Sequence, residues 1–247
     1  MSFDDPAFWT GLLKIIGVNI VLSGDNAVVI ALAARSLPPR QQKLAIFWGA
    51  GAAILMRIVL TFFAIALLQL PWLKLIGSVL LLWIGVKLLV PEHGEEGADA
   101  SDNLFQAIKT ILIADLVMSL DNVIAVAAAA GGSVTLLVLG LAISIPLVIF
   151  GATLLVKAME RFPVIIVIGA ALIGFVAGEM AWEDSAIHAW TSPYPAWMKY
   201  VCAIIGAGLV VWVGKVMAKR ALARAAATGE ELTYREPVPG TRDDATK

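Results

Sequence analysis

The chain has 247 residues, of which 60% are hydrophobic and only 15% are charged, and its formal net charge is −1. Soluble domains contain about 45–50% apolar and about 25% charged residues, so this composition excludes an ordinary soluble protein and indicates a polytopic membrane protein. The small net charge identifies no partner, and we expect a lipid bilayer rather than nucleic acid around the chain. Cys202 is the single cysteine, which excludes an intrachain disulfide.

Seven apolar segments are long enough to cross a membrane, which takes roughly 20 residues. They cover about residues 8–34, 44–68, 71–90, 104–130, 134–157, 163–182 and 197–218. The first two exceed the minimum length, which predicts a tilt, a break or a misplaced boundary in each. We therefore expect an all-α, polytopic membrane protein with seven transmembrane helices.

Acidic residues lie deep inside the first and fourth segments, in two stretches that nearly repeat each other. The first motif reads NIVLSGDNAVVIA (19–31) and the second motif reads DLVMSLDNVIAVA (115–127). The aligned polar pairs are Asn19 with Asp115, Ser23 with Ser119, Asp25 with Asp121, and Asn26 with Asn122. A charge near the bilayer centre costs about 2.5–3.5 kcal/mol on insertion scales, so such residues usually face an interior cavity. The two motifs predict a single two-sided polar site inside the membrane.

The spacing of the two motifs predicts an inverted repeat. The motifs lie three spans apart, an odd number, so they cross the membrane in opposite directions, and transporters of this kind bind substrate near the midplane between the two halves. Gly24 would loosen the first helix beside Asp25, whereas its counterpart in the second motif is Leu120. The expected organisation is a first three-helix repeat (1–90), an acidic cytoplasmic loop (91–103), a second, inverted three-helix repeat (104–182), an outer loop with a seventh helix (183–224) and a disordered cytoplasmic tail (225–247).

The placement of lysine and arginine predicts an N-terminus outside and a C-terminus in the cytoplasm. With this orientation eleven lysines and arginines of the loops and span ends fall on the inner side, and only Lys14, Lys74 and Lys199 fall on the outer side. The acidic N-terminal sequence has no basic region, so we expect no cleaved signal peptide.

The two motifs together supply three carboxylates, three carboxamides and two hydroxyls, all of them oxygen donors. Hard divalent cations such as Mn²⁺, Ca²⁺ and Mg²⁺ prefer these donors, whereas zinc and copper favour imidazole or thiolate. The candidate ligands of a transported cation are Asn19, Ser23, Asp25, Asn26, Asp115, Ser119, Asp121 and Asn122. Interhelical hydrogen bonding alone explains the hydroxyls, but it explains three acids poorly, since an unpaired buried carboxylate tends to take up a proton. No permanent cofactor is expected.

Helix geometry separates the candidate ligands into two groups. Asn19, Ser23 and Asn26 share one face of an ideal helix, and the equivalent residues of the second motif share another. Asp25 and Asp121 lie about a third of a turn away from these faces. Local unwinding would be needed to bring them to the same point.

Two more charged residues belong to the predicted site region. Arg57 lies midway along the second segment, too far from either end to snorkel, and one of the aspartates is its expected partner. Such a pair makes Arg57 a candidate counter-ion with which a cation competes, although a purely structural pairing explains it equally well. Glu179 is a candidate for the outer vestibule, as are Glu183 and Asp184, although a solvated acid at the membrane interface is the more common explanation for the last two.

The motifs S-G-D-N-A (23–27) and D-L-x-x-S-x-D-N-V (115–123), on a seven-span frame, resemble the TerC family of integral membrane proteins. The short loops are similar to those of the bacterial YjbE/YkoY-type group, and the resemblance covers about residues 8–218. It implies export of metal ions, chiefly manganese, across a bacterial inner (plasma) membrane, within the LysE superfamily of exporters. By this resemblance Asp25, Asn26, Asp115, Asp121 and Asn122 occupy the family's motif positions.

Three other functions fit parts of the pattern. An intramembrane aspartyl protease would carry a G-x-G-D motif, but the chain reads L-S-G-D and none of its three tyrosines precedes an aspartate, so we expect no enzyme. An exporter of small organic solutes would need a cation that binds a carboxylate, for which Arg57 is the single candidate. An accessory scaffold in metal stress stays open, as do proton coupling, metal selectivity and the oligomeric state.

Overall fold

The computed structural model describes residues 6–68, 70–90, 100–130 and 133–228 of the chain. The secondary structure within these ranges is helical, without strands, which confirms the expected all-α class for the described residues. The helices are α1 (Pro6–Leu22), α2 (Gly24–Ala34), α3 (Pro39–Leu68), α4 (Leu73–Leu89), α5 (Ala100–Ala130), α6 (Val134–Arg161), α7 (Val164–Trp182), α8 (His188–Thr191) and α9 (Met198–Thr228).

Several of these helices are long and apolar enough to cross a membrane. Among the described residues, α3, α5, α6, α7 and α9 each contain such a span. α1 and α2, which meet at a bend of 49°, give a sixth if the pair is counted as one span. α4 is shorter, with 17 residues. The protein is therefore an integral membrane protein with five or six candidate spans, and the expected count of seven stays a prediction.

The first predicted span is broken inside the first motif. α1 ends at Leu22 and α2 begins at Gly24, so the long first segment is explained by a break. α5, by contrast, continues without interruption through the second motif, where Leu120 replaces glycine. Leucine favours the helix by almost 1 kcal/mol relative to glycine, which matches this difference. The two motifs thus share a sequence pattern but differ in backbone structure.

Small residues bring α7 and α9 into close contact. A Cβ atom added to Gly206 on α9 would overlap the carbonyl group of Gly174 on α7, and one added to Gly178 would overlap the backbone of Cys202. Such small residues let helix backbones approach each other in membranes, where packing rather than hydrophobicity drives association. α4 packs against both of these helices. Elsewhere, α3 packs along α5, while α1 and α2 pack along α6.

The helix boundaries differ from expectation at two polar segments. α5 begins at Ala100, inside the segment 91–103 that was expected to be a loop. α9 continues to Thr228, past the expected start of the tail at residue 225. The rest of both segments, 91–99 and 229–247, lies outside the described residues.

The expectation that Asp184 is a solvated acid is wrong. It is 1% exposed, and its carboxylate accepts hydrogen bonds from the backbone N–H groups of Trp72 (3.1 Å), Leu75 (2.9 Å) and Ala186 (2.7 Å). A carboxylate at this position satisfies the free N–H groups at the start of α4 and interacts favourably with the helix dipole. It also holds Trp72 at a φ of 70°, a conformation that bulky residues rarely adopt. The sequence did not indicate this pairing because the partners lie far apart in the chain.

The α7–α9 interface predicts opposite effects for two glycines of α9. Gly206→Ala places a methyl group against the Gly174 carbonyl and should destabilise the protein by about 1–3 kcal/mol through overpacking. Gly208→Ala faces open space, and it should be neutral or slightly stabilising because alanine favours the helix. Thermal unfolding of the purified protein in detergent measures both variants. Equal unfolding temperatures for the two would contradict the close approach of the helices.

The Asp184 contacts predict a pH dependence of stability. Burial alone would raise the pKa of Asp184, but the hydrogen bonds from the Leu75, Ala186 and Trp72 backbone hold its pKa below the ordinary value of 3.8. The ionised carboxylate therefore stabilises the fold fully above the unfolded-state pKa, and this contribution is lost as the pH falls through the lower folded-state pKa.

We expect Asp184→Asn to lower stability at pH 7 by about 1 kcal/mol, as loss of a helix cap does. The difference from the wild type should shrink when unfolding is followed below pH 4. Glu183→Gln, in the same loop, is the control, since Glu183 makes only partly exposed ion pairs with lysines. A difference between wild type and Asp184→Asn that does not change with pH would contradict this account.

Candidate functional site

One arginine connects the two motifs inside the bundle. Arg57, on α3, is 3% exposed. Its guanidinium donates from Nε to Ser119 Oγ (3.0 Å) and from Nη2 to Asp115 Oδ1 (2.6 Å), both on α5. Its Nη1 donates to Asn19 Oδ1 on α1 (2.9 Å) and to Ser23 Oγ at the break (3.3 Å). These five residues are called the Arg57 cluster below.

The two motifs present the same local arrangement to this guanidinium. Ser119 Oγ donates to Asp115 Oδ2 (3.2 Å), and Ser23 Oγ donates to Asn19 Oδ1 (3.3 Å). In both motifs, therefore, the hydroxyl accepts from Arg57 and donates to the side chain four positions earlier, which lies on the same helical face. The sequence repeat is reproduced in space as two equivalent pairs of oxygen ligands for one cationic group.

The cluster contains a buried ion pair, Arg57 with Asp115. Asp115 is only 5% exposed, so both charges have left water almost completely. Such a pair is tolerated when its geometry is good and when hydrogen bonds satisfy the remaining lone pairs and protons. Both conditions are largely met here, because Ser119 donates to the second carboxylate oxygen, and Nε and Nη1 of the guanidinium donate to neutral oxygens.

The asparagines that follow the two aspartates meet at the break in the first span. Asn26 Nδ2 (3.4 Å) and Asn122 Nδ2 (3.3 Å) both donate to the backbone carbonyl of Leu22. In a continuous helix this carbonyl would accept the backbone N–H of Asn26, but that N–H donates to Asp25 Oδ1 instead (2.8 Å). One carboxamide from each motif therefore satisfies the carbonyl that the break leaves free.

Asp25 and Asp121 occupy equivalent positions in the two motifs, but the structure describes the side chain of Asp25 only. Asp25 lies in the first turn of α2, half-buried, and its carboxylate binds the backbone at the break rather than the Arg57 guanidinium. Unwinding at Gly24 thus does not bring Asp25 into the Arg57 cluster. Asp121 belongs to α5, but its side chain lies outside the described part of the chain. Its role as a ligand stays a prediction.

Glu179 lies apart from the Arg57 cluster, in a chain of ion pairs that the sequence did not predict. Glu179 pairs with Lys199 (2.8 Å), Lys199 with Glu183 (3.4 Å), and Glu183 with Lys74 (3.4 Å). The charges were visible in the sequence, but their pairing depends on the packing of α4, α7 and α9. Because these side chains are partly exposed, each pair contributes little to stability.

Two cavities bear on the site. The larger one, of about 230 Å³, is lined by four leucines together with Lys74, Glu183 and Ser185, and one of these leucines is Leu120 beside Asp121. The smaller one, of about 10 Å³, is lined by four residues of the Arg57 cluster, by Asn26 and by apolar side chains of α2, α3 and α6. A cavity of this volume has room for about one water molecule or one bare ion. Asn19 Nδ2 and Asn26 Oδ1 are buried beside it without a hydrogen-bond partner in the described part of the protein.

The described residues do not form an acidic metal centre. No three side chains of His, Cys, Asp or Glu among them converge closely enough to hold a metal ion. The oxygens that do converge belong to one carboxylate, one carboxamide and two hydroxyls, and all of them bind Arg57. The predicted cation site stays a prediction, and four of its eight candidate ligands bind a cationic side chain.

Comparison with known proteins finds similar sequences that cover most of the chain. The profile of the integral membrane protein TerC family matches residues 4–222. The chain is 44% identical over 176 residues to the uncharacterised membrane protein YjbE of Bacillus subtilis strain 168, covering 71% of this chain and 81% of that protein. It is 26% identical over 217 residues to the uncharacterised membrane protein YceF of the same organism, covering 84% and 83% of the two chains. No solved structure matches.

The Arg57–Asp115 pair predicts strong energetic coupling between its two members. Asp115→Asn leaves the guanidinium buried without a counter-charge and should destabilise the protein by about 3–5 kcal/mol. The double variant Arg57→Gln/Asp115→Asn removes both charges and should recover most of that loss. Thermal unfolding of the wild type, of Arg57→Gln, of Asp115→Asn and of the double variant gives the four stabilities of a double-mutant cycle. Additive effects of the two substitutions would contradict a direct ion pair.

Proposed function

The chain belongs to the TerC family of integral membrane proteins, and on that basis we propose that it transports a divalent metal ion, most favourably Mn²⁺, out of the cytoplasm. One observation carries the proposal. Oxygen atoms from both motifs surround a single positive group inside an apolar bundle, so the centre of the protein is built to stabilise a cation.

The chemistry of the donors supports a hard cation as the substrate. A carboxylate, carboxamide oxygens and hydroxyls are ligands that Mn²⁺, Mg²⁺ and Ca²⁺ accept, whereas a soft metal would select thiolate or thioether. The Leu22 carbonyl adds another oxygen at the break, where unwound helices in transporters commonly coordinate ions. Asp25, Asn26, Asp121 and Asn122 flank this point and are proposed to complete the coordination when the ion binds.

Helix packing supports the inverted repeat that such transport would use. If α1–α2, α3 and α4 correspond to α5, α6 and α7, then the packing of α3 on α5 has its counterpart in the packing of α1–α2 on α6. The contact between α4 and α7 pairs equivalent helices across the same pseudo-twofold axis. We propose that α4 is a seventh span, that α9 stands outside the repeat, and that the Arg57 cluster lies at the interface of the two halves.

The larger cavity supports a route between the site and one membrane surface. It lies at the start of α4 and reaches Leu120, the neighbour of Asp121, while Lys74 and Glu183 border it. With the N-terminus outside, as lysine and arginine placement favours, this end of α4 faces the exterior. We propose that the ion leaves the cell through this vestibule, across the inner (plasma) membrane of a bacterium.

Metal flux in reconstituted vesicles tests the function. Proteoliposomes that contain a metal-sensitive dye should show Mn²⁺ entry that depends on the protein. Asp115→Asn should reduce the initial rate about tenfold or more, since one lost charge pairing at a buried site is worth well over 1.4 kcal/mol. Asp25→Asn and Asp121→Asn should also reduce it. Glu160→Gln, an exposed carboxylate at the end of α6, is the matched control and should leave the flux unchanged.

Parallel measurements separate the competing functions. A pH-sensitive dye in the same vesicles reports whether protons move in exchange for the metal, and Ca²⁺ and Mg²⁺ in place of Mn²⁺ report selectivity. Manganese-loaded cells that express the protein should lose the metal faster than cells that express Asp115→Asn. Flux that is unchanged in all three aspartate variants would contradict the assigned site. Absence of any metal flux would contradict metal transport and favour a small organic solute or an accessory role.

A further inference from the structure

We propose that the guanidinium of Arg57 occupies the place of the transported cation, so that the Arg57–Asp115 pair and a bound metal ion exclude each other. The inference rests on the proposed function and adds how the site is kept closed when no ion is bound. Arg57 would then be a tethered competitor that sets the affinity for the cation, rather than only a bridge between helices.

The first support is that the guanidinium engages the converging oxygens. It binds Asp115 Oδ1, Asn19 Oδ1 and both serine hydroxyls at 2.6–3.3 Å. A divalent cation needs about six oxygen ligands at 2.0–2.6 Å. The cluster offers four such oxygens, and each already accepts a hydrogen bond from Arg57, so the guanidinium and a metal ion compete for the same atoms.

The second support is charge. Asp115 is the one buried carboxylate among the partners of Arg57, and it is already neutralised. A metal ion added to the 10 Å³ cavity with Arg57 in place would face a guanidinium across a short distance in a medium of low dielectric constant. Like charges repel strongly there. Withdrawal of Arg57 instead exposes a carboxylate, a carboxamide oxygen and two hydroxyls to the incoming ion.

The third support is the unpaired oxygen of Asn26. Asn26 is 3% exposed, it borders the small cavity, and its Oδ1 has no partner within the described residues. Buried acceptors are seldom left without a donor or a cation. Asn26 Oδ1 is therefore an oxygen beside the cluster that the guanidinium does not use, whereas Asn19 Nδ2, also unpaired among the described residues, is a donor and cannot serve a cation.

Removing the Arg57 side chain and adding free guanidinium in its place tests the inference. In Arg57→Ala, Mn²⁺ binding measured by calorimetry on the purified, detergent-solubilised protein should tighten by about tenfold or more relative to the wild type, the ratio expected from removing one close charge competitor. Guanidinium chloride at low millimolar concentration should weaken Mn²⁺ binding to Arg57→Ala by refilling the vacated place. It should have no effect on the wild type. Sodium chloride at the same concentration is the control for ionic strength.

Two further variants keep the test decisive. In Arg57→Ala/Asp115→Asn the effect of guanidinium should disappear, because its counter-charge is gone. Arg57→Lys keeps a positive charge but lacks the planar fork that reaches several oxygens, so its Mn²⁺ affinity should lie between those of the wild type and Arg57→Ala. If Arg57→Ala does not fold, the Mn²⁺ affinity of Arg57→Lys relative to that of the wild type tests the inference.

The outcomes separate this inference from the proposed function. Mn²⁺ affinity in the arginine variants that is no tighter than in the wild type, with no effect of guanidinium, would overturn the competitor role while leaving metal transport standing. Absence of Mn²⁺ binding and flux in every protein, including the wild type, would overturn both.

Discussion

The arrangement of polar residues at the centre of this protein depends on one positive charge, the Arg57 guanidinium, which is buried in an apolar bundle. The Arg57 guanidinium must be neutralised and its N–H groups must find acceptors, since an unpaired charge at this depth is very costly. One carboxylate and three neutral oxygens, drawn from α1, α5 and the break, meet that demand. This explains why the motifs differ at their first polar position. With Asp115 opposite Asn19 the cluster is neutral, whereas two aspartates or two asparagines would leave it charged.

The break between α1 and α2 depends on the same neighbourhood. Asp25 takes the backbone N–H of Asn26, and the carbonyl of Leu22 that is thereby freed accepts one carboxamide from each motif. The aspartate and asparagine of the first motif thus stabilise an interrupted helix, while their counterparts lie on an uninterrupted one. The Leu22 carbonyl accepts hydrogen bonds from two side-chain amides instead of from a helix N–H. A backbone carbonyl of this kind is a group that an ion can bind in a membrane.

Packing and chemistry are divided between two parts of the described structure. α4, α7 and α9 meet through small residues and backbone contacts, with Asp184 and the lysine–glutamate pairs at one end. The polar residues of the two motifs and Arg57 lie on α1, α2, α3 and α5 and at the break, and α6 packs against these helices. Close helix approach needs no buried charge, because van der Waals contact suffices in lipid. The polar residues of the two motifs are therefore separate from this packing interface, which has Asp184 and the lysine–glutamate pairs at one end.

The sequence by itself determined the helical class, the positions of the apolar segments and the two polar motifs, because length, hydropathy and repeat spacing are local properties. It also identified Arg57 as a residue that needs an acidic partner. Only the tertiary structure decided that this partner is Asp115, that Asp25 binds the backbone at the break, and that Asp184 caps α4 rather than facing water. The partners of Arg57 and of Asp184 lie far apart in the chain. Asp25 and Asn26 are neighbours, and their hydrogen bond replaces one that a continuous helix would make. The energies of these contacts depend on burial and on distances of 2.6–2.9 Å, which no local pattern encodes.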